Sequence, residues 1–391
     1  MLVPKLRFKR EDGSEYPEWT SKHISEFANC FAGATPSTKV KAYWENGTIS
    51  WLSSGEVNKK QIFETDKKIS QLGFEKCSTK MVKPNSVVMA LAGQGKTRGT
   101  VAITRIPVCT NQSLCAIETD DSIVDDYLYQ YLGTRYDDLR NISSGDGTRG
   151  GLNLKLINNY LVSVPCLEEQ QKIADFLSTV DEVIAQSEAE VQNLEQQKKA
   201  AMQKIFSQEV RFKREDGTDY PEWEEKKLGE LLQYEQPTKY IVASDDYTGC
   251  SKYPVLTAGK SFILGYTDET DGVYNKGDVI IFDDFTCDSK YVDFEFKVKS
   301  SAMKMLTAVD SNHSLKLIFE LMNRIGFEPL GHQRHWISTM SQETIIIPSD
   351  IEEQQKIADF LSTVDKAISY AKQELEHWKQ LKKGLLQQMF V

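Results

Sequence analysis

The sequence predicts an α+β chain: two globular α/β domains separated by two long helices that form an antiparallel coiled coil, arranged as a pseudo-twofold tandem repeat. Three observations predict it. The stretch EEQQKIADFLSTVD occurs twice, letter for letter, over residues 168–181 and 352–365, an identity at fixed offset that marks internal duplication. A second near-repeat, RFKREDGSEYPEW over 7–19 and RFKREDGTDYPEW over 211–223, opens each half. Each copy of the first motif also begins a heptad pattern of apolar residues at alternating steps of four and three, which is a coiled-coil seam. The expected order is domain 1–166, helix 167–209, domain 210–350 and helix 351–391.

The seam of the first helix reads Ile173, Leu177, Val180, Ile184, Val191 and Leu194; that of the second reads Ile357, Leu361, Val364, Ile368, Leu375 and Trp378. Pro165 and Pro348 lie just upstream. Ser349 and Glu352 have capping-box spacing, and Glu168, Glu169, Glu352 and Glu353 put negative charge where the helix dipole favours it. Lysines 198, 199 and 204 fill the far end of one helix, and lysines 379, 382 and 383 that of the other. A parallel pair would set Lys198 against Lys382 and acid against acid, which is repulsive at both ends. Antiparallel pairing instead brings Glu168 and Glu169 toward the Lys382 end, and Glu352 and Glu353 toward the Lys198 end. It also spares the connecting segment a return run of roughly 50 Å.

Each RFKRED repeat reads as two short strands around an Asp-Gly turn, closed by Pro and Trp. The first domain continues with a Gly-, Ser-, Thr- and Lys-rich segment over 33–57, a strand over 87–92 running into GQGKTRG, and a strand over 100–103. It closes on Gly147, Arg149, Gly150, Gly151, Asn153 and Lys155. The second carries QPTKYIV from Gln236, YPVLTAGK from Tyr253, a buried strand over 279–282 leading into DDFT, an alternating strand over 292–299, SSAMKM from Ser300 and GHQRHW over 331–336. Between the shared frames the two domains show no sequence similarity. A kept frame with two different inserts predicts two readers presented in one geometry to related, non-identical ligands.

The net charge of -10 argues against a general nucleic-acid binder, but it is unevenly spread. Residues 1–166 carry +3, 167–210 carry -5, 211–350 carry -8, and 351–391 are neutral. Seven cysteines form no CxxC pair and their odd count fits no disulfide framework, so a reducing cytoplasm is expected. The early charges and the lack of a long apolar run predict a soluble intracellular protein with no membrane contact.

Several motifs compete for chemistry. Gly95, Lys96 and Thr97 resemble the end of a P-loop, but Ala90 stands where its first glycine belongs, and a strand rather than a helix follows. The glycine spacing over 145–150 lacks the strand and helix of a dinucleotide site. His332 and His335 could form half a metal site, without a third ligand. Asp284, Glu295 and Lys297 resemble the spaced acid and ExK of metal-dependent nucleases, an alternative enzymatic reading; a coiled-coil tether with protein-binding heads is another. Basic residues interleaved with aromatics suit nucleic acid instead: Lys39, Lys41 and Tyr43 with Trp44 and Trp51, then Lys239, Tyr240, Lys252 and Lys260 with Tyr253.

The repeat order and the motifs GATPS…ISWLSSGEV, LxEEQQKIADFLSTVD and YPVLTAGK…IIFDDFT…KSSAMKM resemble the specificity (S) subunit of type I restriction-modification systems over the entire chain. The resemblance implies that each domain is a target recognition domain reading one part of a split double-stranded DNA sequence, and that the two helices act as a ruler between them. It implies two methyltransferase subunits docked on this scaffold, and restriction/translocase subunits beyond them. The chain itself would be non-catalytic and hold no cofactor, with S-adenosylmethionine, ATP and Mg belonging to the partners. Residue type and loop position then nominate the DNA contacts. In the first domain they are Lys39, Lys41, Tyr43, Ser53, Ser54, Gln94, Lys96, Thr97, Arg98, Arg149 and Asn153. In the second they are Lys239, Tyr240, Lys252, Lys260, Lys290, Lys304, His332, Gln333, Arg334 and His335. The seam residues would serve the helices and their partners.

Overall fold

The computed structural model describes residues 4–93, 97–143, 151–244, 246–247, 251–257, 261–325 and 335–390. Two helices dominate the chain order, Leu167–Phe206 and Ile351–Met389. The chain divides into two compact units: residues 1–190 with 371–391, and residues 191–370. Each unit therefore owns one globular head, the start of one long helix and the end of the other.

In the first unit, the head is built on a five-stranded sheet ordered Ala28–Ala32, Leu114–Thr119, Val87–Ala90, Val101–Thr104 and Gln61–Ile62. Val87–Ala90 is buried along its whole length, which is why its apolar residues run without alternation. A second sheet pairs Ile49–Leu52 antiparallel with Lys67–Ile69 and parallel with Val108–Thr110. In the second unit, a four-stranded sheet is ordered Leu232–Glu235, Met303–Ala308, Val279–Asp283 and Ser289–Val292. Beside it Tyr253–Leu256 pairs antiparallel with Ile263–Thr267 and parallel with Lys297–Val298. The two heads thus share four antiparallel strands in one order and a second sheet with one antiparallel and one parallel neighbour. Sequence comparison missed this, because a sheet needs an apolar pattern and a register rather than particular residues.

The predicted strand over 292–299 is not continuous. Asp293, Phe294 and Glu295 are all exposed, and the chain leaves the first sheet after Val292 to join the second at Lys297. The RFKRED hairpins also shrink to single bridges, Lys9 with Glu15 and Lys213 with Asp219. Their Asp-Gly turns form as expected, with Gly13 and Gly217 both at φ 83°, where glycine alone is unstrained.

These frames serve as latches. In the first unit Glu169 is fully buried and its carboxylate accepts from Arg7 Nη2 at 2.7 Å, Arg7 Nε at 3.0 Å and Trp19 Nε1 at 3.0 Å. Arg7 also donates to the carbonyl of Pro17 at 2.8 Å. The second unit repeats the set: Glu353 accepts from Arg211 Nη2 at 2.8 Å, Arg211 Nε at 3.1 Å and Trp223 Nε1 at 3.2 Å, and Arg211 donates to Pro221 O at 2.6 Å. A buried carboxylate is tolerated only when its lone pairs are filled by a cation and neutral donors, and both latches meet that condition. The next residue ties the helix to its head. Gln170 Oε1 accepts from Val124 N at 2.9 Å, and Gln354 Oε1 from Ser314 N at 2.8 Å. These glutamates act as buried partners for the frame arginines, a role beyond the helix-dipole one the sequence suggested. The second helix is capped by Asp350, whose Oδ1 accepts from Glu352 N at 2.9 Å, while Ser349 Oγ turns away to donate to Glu222 O.

Within each unit the two long helices run antiparallel. In the first, Lys382 donates to Asp181 at 2.5 Å and Lys379 lies 2.6 Å from Glu188, so numbers rise along one helix as they fall along the other. In the second, Lys198 donates to Asp365 at 2.7 Å, and Ile205 shares a core with Ile357, Ala358 and Leu361. The charge argument therefore gives the right direction, and the structure adds the partners. Asp181 and Asp365, not the first-turn glutamates, meet the lysines. Ile173, Leu177, Val180, Ile184, Val191, Ile357, Leu361 and Ile368 are buried, and Leu194, Val364, Leu375 and Trp378 half-buried. Ile173 and Leu177 belong to the core of the first head, and Ile357 and Leu361 to that of the second.

Candidate nucleic-acid interface

The nominated residues of the first head lie on segments that the fold holds rigidly. Ala34 N donates to Thr110 O at 2.9 Å, and a Cβ on Gly33 would stand 1.9 Å from that same oxygen, so only glycine permits the approach. Thr35 Oγ1 donates to Gln112 Oε1 at 2.6 Å. Further along, the short turn Lys41–Tyr43 is pinned by Ser70, whose N donates to Tyr43 O and whose Oγ donates to Ala42 O. Trp44 stands edge-on to the buried Trp51 with centroids 5.1 Å apart. The result is a fixed platform with Lys39 and Lys41 exposed and Tyr43 half-buried.

Ser53 and Ser54 begin the next turn. Ser53 N and Oγ both donate to Glu56 Oε2, at 2.9 and 2.8 Å, so Ser53 is held as a cap. Thr97 and Arg98 form a half-buried turn closed by Thr100 N to Thr97 O and Gly99 N to Ala90 O. No helix follows that turn; the next element is the strand Val101–Thr104. Asn153 is exposed, and its Oδ1 accepts from Leu156 N at 3.0 Å as the cap of Leu154–Asn158. Gln94, Lys96 and Arg149 lie outside the described residues.

Among the described residues, the second head buries three of its nominated residues, whereas the first buries none. Lys239, Lys252 and Lys290 are exposed. Lys252 donates to Tyr253 Oη at 2.7 Å and, with Tyr253, Pro254, Ile263, Tyr266, Phe294 and Glu295, lines a depression of about 410 Å³. Three nominations require correction. Tyr240 is 5 % exposed, packs edge-on against Tyr274 and donates its hydroxyl to Glu235. Lys304, 3 % exposed, lies 3.8 Å from Asp284 and over the Tyr234 ring at 4.7 Å. His335, 2 % exposed, opens the short helix His335–Ser338 and donates its backbone N–H to Asp284 O. All three are internal supports: an aromatic or basic residue near a loop carries no sequence mark that tells whether it points outward. Lys260, His332, Gln333 and Arg334 lie outside the described residues.

The nuclease triad is dispersed. Asp284 accepts from Trp336 N at 2.9 Å and faces Lys304; Lys297 donates to Glu269 Oε2 at 2.7 Å and to Asp271 O at 2.6 Å; Glu295 is exposed. Lys297, aided by the amides of Ala243 and Ser244, holds the Glu269 carboxyl down at about 2. Among the described residues no group of three or more His, Cys, Asp or Glu is placed to hold a metal, and no helix is long and apolar enough to cross a membrane.

The latches are the largest omission of sequence reasoning from the organised polar chemistry here. A usable signal was present: Arg, Trp and Glu recur together in both halves, as a buried ion pair with its indole donor would require. A second omission is the helix before each latch. Asp125–Gly133 and Leu315–Arg324 occupy the same place in the two units. Gln130 Nε2 donates to Asp181 Oδ2 at 2.7 Å, and its counterpart Glu320 accepts from Lys198 at 3.4 Å.

The family description "Type I restriction modification DNA specificity domain" matches residues 16–196 and 220–379. The chain is 52 % identical over 136 residues to the specificity subunit of the Escherichia coli type I restriction enzyme EcoR124I/EcoR124II, covering 34 % of each chain. It is 29 % identical over 245 residues to the MjaIX specificity subunit of Methanocaldococcus jannaschii, covering 59 % of this chain and 56 % of that one. The chain thus spans about a third and just over half of the length of these two relatives. The MjaVIII specificity subunit of the same organism aligns over 97 % of this chain and 94 % of its own at 23 % identity. In fold, the crystal structure of the type I restriction-modification S subunit from M. genitalium superposes with a TM-score of 0.70 at 15 % identity, covering 100 % of this chain and 99 % of that one. The chain belongs to the type I restriction-modification DNA specificity family and carries two of its domains in tandem.

Proposed function

We propose that this chain is the DNA sequence-recognition subunit of a type I restriction-modification complex, each head reading one half of a bipartite duplex target. The long helices set the unread spacer and dock two methyltransferase subunits, with restriction/translocase subunits joining that core. Adenine methylation draws on S-adenosylmethionine, and cleavage on ATP and Mg; both belong to the partners. The target base has to leave the stack to be methylated, and the chain's own part is to place the complex on its sequence in the cytoplasm.

The observation that carries this reading is the coupling of sameness and difference. Two heads of one strand order are clamped by identical buried latches to identical helix starts, while the exposed residues of their loops differ. In the first head, Lys39 and Lys41 on their platform, Thr97 and Arg98 at the strand turn, and Asn153 and Ser54 are the proposed contacts. In the second, Lys239, Lys252 and Lys290 take that role, with Lys260, His332, Gln333 and Arg334 proposed from the sequence alone. Lysines on such platforms hold phosphates and fix register, whereas neighbouring polar side chains read base edges.

Methylome sequencing of cells expressing the chain with its methyltransferase partner tests the proposal. The expected outcome is a split methyl-adenine motif with two defined half-sites and a constant gap. A continuous motif, or methylation independent of this chain, would overturn it.

A further inference from the structure

The second sheets of the two heads match in strand order and differ in chemistry at one edge. Trp51 lies between Lys67 and Cys109 in the first head, as Val255 lies between Gly265 and Lys297 in the second. One step along the outer strand, Lys68 therefore corresponds to Tyr266. In the first head that strand pairs without a register shift and offers two exposed lysines, Lys67 and Lys68, with Lys67 over the Trp44 ring at 5.9 Å. In the second head the pairing shifts between Val255 and Leu256, leaving Leu264 as the extra residue. A regular strand would turn Ile263 and Tyr266 to opposite faces. The bulge re-aims them, and both line one depression of about 410 Å³.

The lining defines what the depression can take. Tyr253, Pro254 and Phe294 complete its apolar wall, and Lys252 and Glu295 are its charged members. Phe294 is exposed on the segment that crosses between the sheets, and Ile263 is exposed beside it. Lys252 Nζ stands over the Tyr253 ring at 4.6 Å and donates to its hydroxyl at 2.7 Å, which holds the cation at the wall. The Glu295 carboxylate repels phosphate, so the wall itself does not suit the DNA backbone. A base edge suits it better. In the major groove the apolar group on a base edge is the thymine C5-methyl, and a carboxylate accepts from the exocyclic amine of cytosine. A head that carries -8 over 211–350 gains little from phosphate attraction, so its discrimination falls more on uncharged contacts of this kind.

We propose that this depression receives the C5-methyl group of one thymine in the half-site read by the second head. Ile263, Tyr266 and Phe294 enclose the methyl, Lys252 meets a phosphate beside it, and Glu295 excludes the backbone from the wall. This rests on the reading of the chain as a DNA-recognition subunit and adds which surface of the second head discriminates, by what contact and for which base. The first head, with Lys67 and Lys68 at the equivalent edge, turns that edge to the phosphate backbone. The two heads thus use one strand position for different kinds of contact.

The test is a binding series with the full chain assembled with its methyltransferase subunit, on duplexes carrying the target found by methylome sequencing. Each thymidine of both half-sites is replaced singly by deoxyuridine, which removes the methyl and nothing else. Parent chain, Ile263→Ser/Phe294→Ser and the conservative Ile263→Val/Phe294→Leu are compared, with circular dichroism confirming that each is folded. The expected result is a position in one half-site where the parent loses about fourfold in affinity on uracil substitution, the worth of one buried methyl group. The serine variant should bind thymine and uracil alike at that position, while the conservative variant keeps the preference. Discrimination in the other half-site should be unchanged in all three. If the folded serine variant keeps every thymine preference of the parent, the depression does not read a methyl group. If it keeps them but assembles with less methyltransferase, the depression holds protein, and the proposal likewise falls. A parent complex with no preference for uracil or thymine at any position overturns it as well. A parent complex that binds target and unrelated duplexes equally would refute the DNA-recognition reading itself, which separates the two failures.

Discussion

The first and second units set one frame in different surroundings. Glu169 with Arg7 and Trp19, and Glu353 with Arg211 and Trp223, agree to within about 0.2 Å in every hydrogen bond. The helix packed beside each latch has drifted. Its Gln130 is neutral and donates to Asp181 in the first unit, whereas Glu320 in the second sits among Lys198, Lys316 and Asp365 as part of a four-charge cluster. The heads have diverged further, from a net +3 over 1–166 to -8 over 211–350. Identity persists where a head joins its helix, and variation gathers where a head faces outward. A scaffold whose readers must be exchangeable while their attachment stays constant would evolve in this way.

The largest effect expected from breaking the frame is at the latch. Glu169→Ala or Glu353→Ala strands an arginine and an indole N–H, and removing one partner from a buried ion pair costs about 3 kcal/mol. Urea unfolding of the two variants should show similar losses, each confined to the unit carrying the change. Unequal losses would mean that the two frames are alike in geometry and not in energy. The second effect concerns the helices. Adding or deleting residues within 182–205 should change the gap of the methylated motif while both half-sites stay the same, as read by methylome sequencing. A changed half-site with a constant gap would remove the ruler from the mechanism.

What was legible in the sequence follows the same division. The duplicated motifs gave the long helices to within a few residues at each end, because a heptad seam needs specific spacing and its residues are few and apolar. The shared topology of the heads was invisible. Val124 and Ser314 both offer a backbone N–H to a glutamine, and a backbone donor leaves no trace in residue identity. Asp293, Phe294 and Glu295 kept the alternation of a strand while the chain crossed between sheets. Tyr240, Lys304 and His335 were misplaced for a related reason: burial of a polar residue depends on partners distant in sequence, such as Asp284 for both Lys304 and His335. Lys39, Lys41, Lys239, Lys252 and Lys290 were readable as surface residues because nothing in their segments offered a buried partner.

The smallest effect separates the heads by their response to acid. In the second head the Glu269 carboxyl is held at about 2 by Lys297 and two backbone amides. A carboxyl whose folded value lies below its unfolded one contributes stability that is present above about 4.5 and is lost as pH falls toward 2. In the first head, burial raises the carboxyl of Asp125 above its ordinary range, against the hydrogen bond from Thr119. That sign is opposite: folding favours its protonated form, so acidification through the carboxylate range relieves a destabilising charge. The second unit should therefore unfold at higher pH than the first during acid titration, which hydrogen exchange resolved by segment can follow. Glu269→Gln should flatten the second unit's loss of stability between about 4.5 and 2, and Asp125→Asn should remove the first unit's relief on acidification. Equal acid midpoints for both units in the parent chain would show that these two carboxyls do not govern the heads' acid response.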